Sequence, residues 1–164
     1  MCGVTSPPQR QVGAADGNIV LDLFILHQRI GELMEVALDG TDVRPAEYAV
    51  YTQLGRGPLT PRELCVRLGV TPSTLTGHLA ALQRRNHIDR VPDPADGRSY
   101  RVVLTTAGEE EVARCRKGFR RMLARLRRHL SVDEASSREL LRAIDESALA
   151  AIESLRSEED RPRT

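Results

Sequence analysis

The sequence predicts a mainly α-helical chain carrying one small β-hairpin, and three observations predict it. Apolar residues recur at helical spacing in several segments. Two short segments open with the same Thr-Pro start. Two β-branched-rich runs flank a stretch dense in turn formers.

Residues 1–17 are Pro, Gly and polar residues without periodicity and read as a disordered arm. From Asn18, the residues Ile19, Leu23, Leu26, Ile30, Leu33, Met34 and Ala37 form the apolar stripe of a first helix, closed by Asp39-Gly40. Pro45 opens a second helix at the position where its missing N–H costs nothing. It runs through Tyr48, Ala49, Tyr51 and Leu54 and stops at Gly55 and Gly57-Pro58. Thr60-Pro61-Arg62-Glu63 combines an N-cap Thr, a Pro and a Glu three residues on, a capping box. Thr71-Pro72-Ser73-Thr74 repeats the start, with Thr71 as the cap.

Leu68-Gly69-Val70 lies between these starts, and two short helices joined by a tight Gly-containing turn make a helix-turn-helix. Its second helix buries Leu75, Leu79 and Leu82 and ends near Asn86, a residue that tolerates the left-handed cap conformation. Residues 88–91 and 100–104 are the β-branched runs, and 92–99 the turn formers between them. A hairpin directly after a helix-turn-helix is a wing. Residues 105–108 then cap a long helix with apolar Val112, Cys115, Phe119, Met122, Leu126 and Leu130. Residues 131–134 open a last helix with Leu141, Ile144, Ala148, Ile152 and Leu155. The expected organisation is a helical dimerisation region (18–40 and 107–156), a winged helix-turn-helix (41–106) and a frayed polar tail (157–164).

The net charge of +1 hides its distribution. Residues 1–59 sum to −3, 60–106 to +3, 107–130 to +5 and 131–164 to −4. A basic centre between acidic ends is expected when one face meets phosphate and the ends meet protein. The second helix of the pair has about the right diameter for the ~12 Å major groove. Its early outward residues Ser73, Thr74, Thr76, Gly77 and His78 are candidate contacts: hydroxyls and imidazole donate or accept at base edges, and Gly77 admits close backbone approach. Arg98, at the hairpin tip, fits a narrow minor groove. Asp96 is expected to pair with Arg98 and fix its direction. Thr60, Arg62, Arg84, Arg85, Arg90 and Arg101 are candidate contacts to phosphate, which position without specifying.

These residues resemble the MarR family of multiple antibiotic resistance regulators over roughly residues 18–155. The resemblance rests on Thr60-Pro61, Leu64, Leu68-Gly69-Val70 and 73–76, then Leu82, Arg85-Asn86, Ile88 and Arg90. It continues through Asp93-Pro94, Asp96-Gly97-Arg98, 103–105 and Gly108. It implies an obligate dimer with interlocked first, fifth and sixth helices, and a wing arginine in the minor groove. It also implies release of DNA when a small phenolic or hydrophobic molecule binds between the dimer and DNA-binding regions. The sequence departs from the pattern at Arg44, where a Thr usually caps, at His87, where an aliphatic usually sits, and at Gly77.

The dimer also follows from the residues. The first and last two helices carry apolar stripes wider than one small winged helix can cover. Burial of each large aliphatic is worth ~1.5–3 kcal/mol, so several left in water would exceed a domain's typical ~5–15 kcal/mol stability. A two-fold dimer places two reading helices on half-sites ~10 bp apart in a pseudo-palindrome.

The expected function is a dimeric, ligand-released repressor. The alternatives are an activator, a regulator without a ligand, and a winged-helix interaction module that does not bind DNA. The expected partners are double-stranded DNA, a second copy of the chain and a small-molecule effector of unknown identity. No nucleophile–base arrangement or Gly-rich phosphate loop points to an enzyme, and no cofactor is expected. Cys65 and Cys115 read as core residues and Cys2 as part of the arm; His27, His78, His87 and His129 are too dispersed for a metal site. With no apolar run of membrane-spanning length and no signal-peptide pattern, a soluble cytoplasmic setting is expected.

Overall fold

The structure is a computed structural model and describes residues 11–159. The elements follow in the expected order: α1 (Ile19–Leu38), α2 (Pro45–Leu54), α3 (Pro61–Leu68), α4 (Pro72–Arg84), β1 (Ile88–Asp93), β2 (Asp96–Leu104), α5 (Thr106–His129) and α6 (Glu134–Glu159). The chain is mainly helical with one antiparallel hairpin. It divides into two compact units, residues 1–122 and 123–164.

In the first unit, Asn18 caps α1 by accepting the Leu21 N–H at 3.1 Å. Residues 1–10 of the expected arm, including Cys2, lie outside the described residues. Residues 11–17 are not structureless. They form turns, with the Gly17 N–H donating to the Ala14 carbonyl at 2.9 Å and the Gly13 N–H to the Asp22 carboxylate at 3.0 Å. An acidic residue in the first turn of α1 gives the preceding backbone a partner that composition did not reveal. At α2, Arg44 has no hydroxyl to cap with, but the Glu47 carboxylate accepts the Arg44 N–H at 3.0 Å and supplies half of a capping box.

The helix-turn-helix forms as its caps dictate. Thr60 Oγ1 accepts the Glu63 N–H at 3.2 Å, and the Glu63 carboxylate accepts the Thr60 N–H at 2.7 Å. Gly69 ends α3 in the left-handed region (φ 64°), and Asn86 does the same after α4 (φ 57°). The hairpin is longer than expected. The Asp93 carboxylate accepts the Ala95 N–H at 3.1 Å, so the strands extend to a tight Pro94-Ala95 turn. Arg90 pairs with Val102 and Ile88 with Leu104. Leu59 exchanges two backbone hydrogen bonds with Val102, of 3.2 and 2.8 Å, which fasten the segment before α3 to the base of the wing.

The core beneath these elements contains Val50, Tyr51, Leu64, Leu75, Leu82 and Val102, all fully buried. Val112 and Cys115 of α5 join it, and Phe119 stacks on Tyr48 at 4.3 Å. The close passage of α5 needs glycine twice: a methyl at Gly108 would overlap the His87 carbonyl, and one at Gly118 the Ala37 carbonyl. Cys115 is buried as expected. Cys65 is only half-buried, because it borders an open cavity beside α4.

In the second unit, Arg127 of α5 donates to both carboxylate oxygens of Glu134, at 2.7 and 3.0 Å. Asp133 caps α6 by accepting the Ser136 N–H at 2.8 Å. The helix runs to Glu159, past the expected fraying point, and residues 160–164 lie outside the described residues. Among the described residues, no helix is long and apolar enough to cross a membrane.

Candidate nucleic-acid interface

Burial of Leu75, Leu79 and Leu82 against the core fixes which face of α4 looks outward. That face exposes Ser73, Thr74, Thr76 and Gly77, with His78 half-buried. Between Glu63 and Asp89 the chain has no carboxylate, so no negative side chain of α4 opposes a phosphate. Sequence reasoning gave Thr71 only a capping role, but its hydroxyl is the centre of a small cluster. Thr71 Oγ1 accepts the Thr74 N–H at 3.3 Å and lies 2.9 Å from both Ser73 Oγ and Thr74 Oγ1. These bonds orient two of the candidate reading hydroxyls before any DNA arrives. The Thr76 hydroxyl donates to the Pro72 carbonyl at 2.7 Å. It therefore presents a lone pair and a methyl group, the latter suited to contact with a thymine methyl. A Cβ at Gly77 would meet nothing within 4 Å, which leaves the backbone there open to close approach.

The wing is braced at its tip. Asp96 does not pair with the Arg98 guanidinium as expected; its carboxylate accepts the Arg98 backbone N–H at 3.0 Å. The main chain is held, and the exposed guanidinium forms no ion pair among the described residues. Arg101 Nε donates to Asp93 Oδ1 at 3.0 Å across the hairpin. The Ala95 N–H and the Arg101 guanidinium together hold the buried Asp93 carboxyl below its usual range. The Arg90 guanidinium lies 4.7 Å over the Tyr100 ring, a cation–π contact that gives it a definite direction.

The remaining candidates separate into two groups. Arg62, Thr76 and Arg90 border one cavity of about 330 Å³, together with Tyr100 and Cys65. Arg84 is exposed at the end of α4. The Thr60 hydroxyl and N–H are occupied by the capping box. Arg85 turns inward, and its Nη1 lies 2.8 Å from Glu47 Oε2. Burial pushes the Glu47 carboxyl up, but the Arg85 hydrogen bond and the Arg44 N–H outweigh burial and hold it below the usual range. His87 likewise faces the interior. Its Nδ1 is 2.6 Å from the hydroxyl of Tyr51, a side chain that burial keeps un-ionised. His87 is thus a packing residue behind the end of α4 rather than part of the reading face. Together, the exposed helix and the arginine-tipped hairpin can offer hydrogen bonds to base edges and positive charge to phosphates.

The sequence model of the MarR family matches residues 41–99, the helix-turn-helix and most of the wing. An uncharacterized HTH-type transcriptional regulator of Mycobacterium bovis is 27% identical over 140 residues, which are 85% of this chain and 96% of that one. A mutant of MarR from Escherichia coli, solved complexed with operator DNA, superposes with a TM-score of 0.67 at 27% identity, covering 74% of this chain and 89% of that one. The PcaV transcriptional regulator of Streptomyces coelicolor, solved in complex with its natural ligand, superposes with a TM-score of 0.68 at 26% identity over 82% of this chain and 99% of that one. These relatives are transcription regulators, not enzymes. Residues 41–99 match the MarR family, and over most of its length the chain has the winged helix-turn-helix fold of DNA-binding transcriptional regulators of this type.

Proposed function

We propose that the chain acts as a homodimeric repressor in the cytoplasm, released from a pseudo-palindromic operator by a small hydrophobic or phenolic effector. The observation that carries the dimer is the apolar surface left open by the single chain. Val20 and Phe24 of α1 are 73% and 58% exposed, and Leu140 and Leu155 of α6 are 63% and 62% exposed. Each such side chain gains ~1.5–3 kcal/mol when buried, and a second copy presents the same surfaces to cover them. Pairing brings two copies of α4 and of Arg98 to one duplex.

For the effector, the PcaV complex supplies a precedent of ligand binding in a relative. In this chain a cavity of about 420 Å³ between the end of α2, β2 and the start of α5 has Leu54, Val103, Leu104 and Val112 in its wall, with Arg116 and Glu109 beside them. An apolar wall with one cation and one carboxylate at its edge suits a small amphipathic ligand. Such a ligand would bear on the segment that Leu59 fastens to the wing.

Light scattering and fluorescence anisotropy on the DNA upstream of the gene test the proposal together. A dimer with tight, salt-steep binding is expected, loosened by small phenolic acids. A monomer that binds no DNA would overturn the proposal in favour of a protein-interaction module. Binding insensitive to every such compound would remove the effector from it.

A further inference from the structure

Three arginines from the α2–α3 connection, α3 and β2 line a cleft to which no residue of α4 contributes. Arg56 of the α2–α3 connection, Arg67 of α3 and Arg101 of β2 line one cleft of about 310 Å³, with Gly57 and Glu63. Along α3, Glu63 and Arg67 are four residues apart and share one face, whereas Arg62 and Cys65 border the cavity beside α4. Along β2, neighbouring side chains point to opposite faces, so Tyr100 looks toward that cavity and Arg101 toward the cleft. The two sites are separate.

Glu63 and Asp93 offset two of the three guanidinium charges, which leaves one net positive charge at the cleft. The Glu63 carboxylate is engaged by the Thr60 N–H and hydroxyl, at 2.7 and 2.9 Å. Those two bonds, with lesser attraction from Arg101 and Arg67, hold its carboxyl below the usual range. Asp93 takes Arg101 on the hairpin side. The side chains of Arg56 and Arg67 form no hydrogen bond or ion pair among the described residues. The remaining positive charge favours an anion at the cleft. Guanidinium groups match phosphoryl oxygens in both charge and geometry.

We propose that the Arg56, Arg67 and Arg101 cleft binds a small phosphorylated molecule carrying one or two phosphoryl groups. Its occupation would draw the α2–α3 connection and α3 toward β2, across the Leu59 to Val102 bridge, and so set the position of the wing. That consequence rests on the DNA-reading role of the hairpin; the binding site does not.

Isothermal titration calorimetry of the full chain with inorganic pyrophosphate and with adenosine diphosphate, against sulfate and adenosine, tests the site. Pyrophosphate and adenosine diphosphate should bind once per chain, and adenosine should not bind. Arg56→Gln and Arg67→Gln should each weaken binding about tenfold or more while leaving DNA affinity unchanged. Sulfate binding as well as pyrophosphate would mean an adventitious ion only and overturn the proposal. Binding that ignores both substitutions, or no binding, would do the same. Loss of DNA affinity in both variants would also overturn it, making the cleft part of the DNA footprint. If pyrophosphate binds as expected and the wild-type chain ignores DNA, the site stands and the repressor reading falls.

Discussion

Replacing Arg85 with alanine is expected to destabilise the fold and to leave DNA binding intact. The Glu47 side chain is 4% exposed, and its charge is balanced by Arg85 Nη1 at 2.8 Å and the Arg44 N–H at 3.0 Å. Removing one partner of a fully buried ion pair costs ~3–5 kcal/mol. Here Arg85 is 31% exposed and the Arg44 N–H remains, so the loss should be nearer ~2 kcal/mol. For a chain of this size that corresponds to a fall in Tm of about 4–8 °C. The pH dependence has a definite sign. The folded Glu47 carboxyl lies below its ordinary value of 4.5, so the pair contributes fully above that pH and is lost as pH falls through the lower folded value. The gap between wild type and variant should therefore narrow in acid. Adding Glu47→Gln to the variant should restore part of the loss, because no unpaired charge is then buried. Urea unfolding at pH 7 and pH 4, with anisotropy on operator DNA at a temperature where both proteins are folded, measures each part. An unchanged unfolding midpoint, together with DNA binding weakened and its salt slope reduced by about one, would refute the inward assignment and return Arg85 to the phosphate backbone.

Other consequences are equally direct. Gly118→Ala would ordinarily favour a helix, but here the methyl meets the Ala37 carbonyl; a net loss of ~1–3 kcal/mol is expected in denaturant unfolding, and a gain would contradict the close packing of α1 on α5. Ser73→Ala and Thr74→Ala should change the relative affinity for operators differing at single base pairs, measured by competition. An even loss across all sequences would assign those hydroxyls to phosphate alone. Tyr51→Phe should cost ~1 kcal/mol by stranding His87 without its partner, with no change in operator preference; a changed preference would place His87 at the DNA.

The elements were legible wherever a local pattern sets them. Thr60 and Glu63 lie three residues apart, and their reciprocal capping follows from that spacing alone. Asn86 was readable as a left-handed cap from its residue type, since Asn tolerates that conformation. Pairings that depend on tertiary approach were not readable. Glu47 stands 38 residues before Arg85, and Tyr51 stands 36 before His87. In the sequence, Arg85 is therefore indistinguishable from the exposed Arg84 beside it. The same limit applied within the wing, where proximity suggested that Asp96 would take the Arg98 guanidinium. Turn geometry instead gives Asp96 the backbone N–H two residues on. Thr71 was recognised as a cap, but its role in ordering Ser73 and Thr74 required the rotamers. The Arg56, Arg67 and Arg101 cleft left no trace in the sequence, since its members come from separate segments that meet only through tertiary packing, the Leu59 to Val102 bridge included.

The dissociation constant of Arg98→Ala for operator DNA tests the interface most directly. Arg98 is exposed, and Asp96 holds its main chain whatever the side chain, so the variant should fold as wild type does and bind at least about tenfold more weakly. An equal constant for variant and wild type at the same salt concentration would contradict the placement of the wing on the duplex.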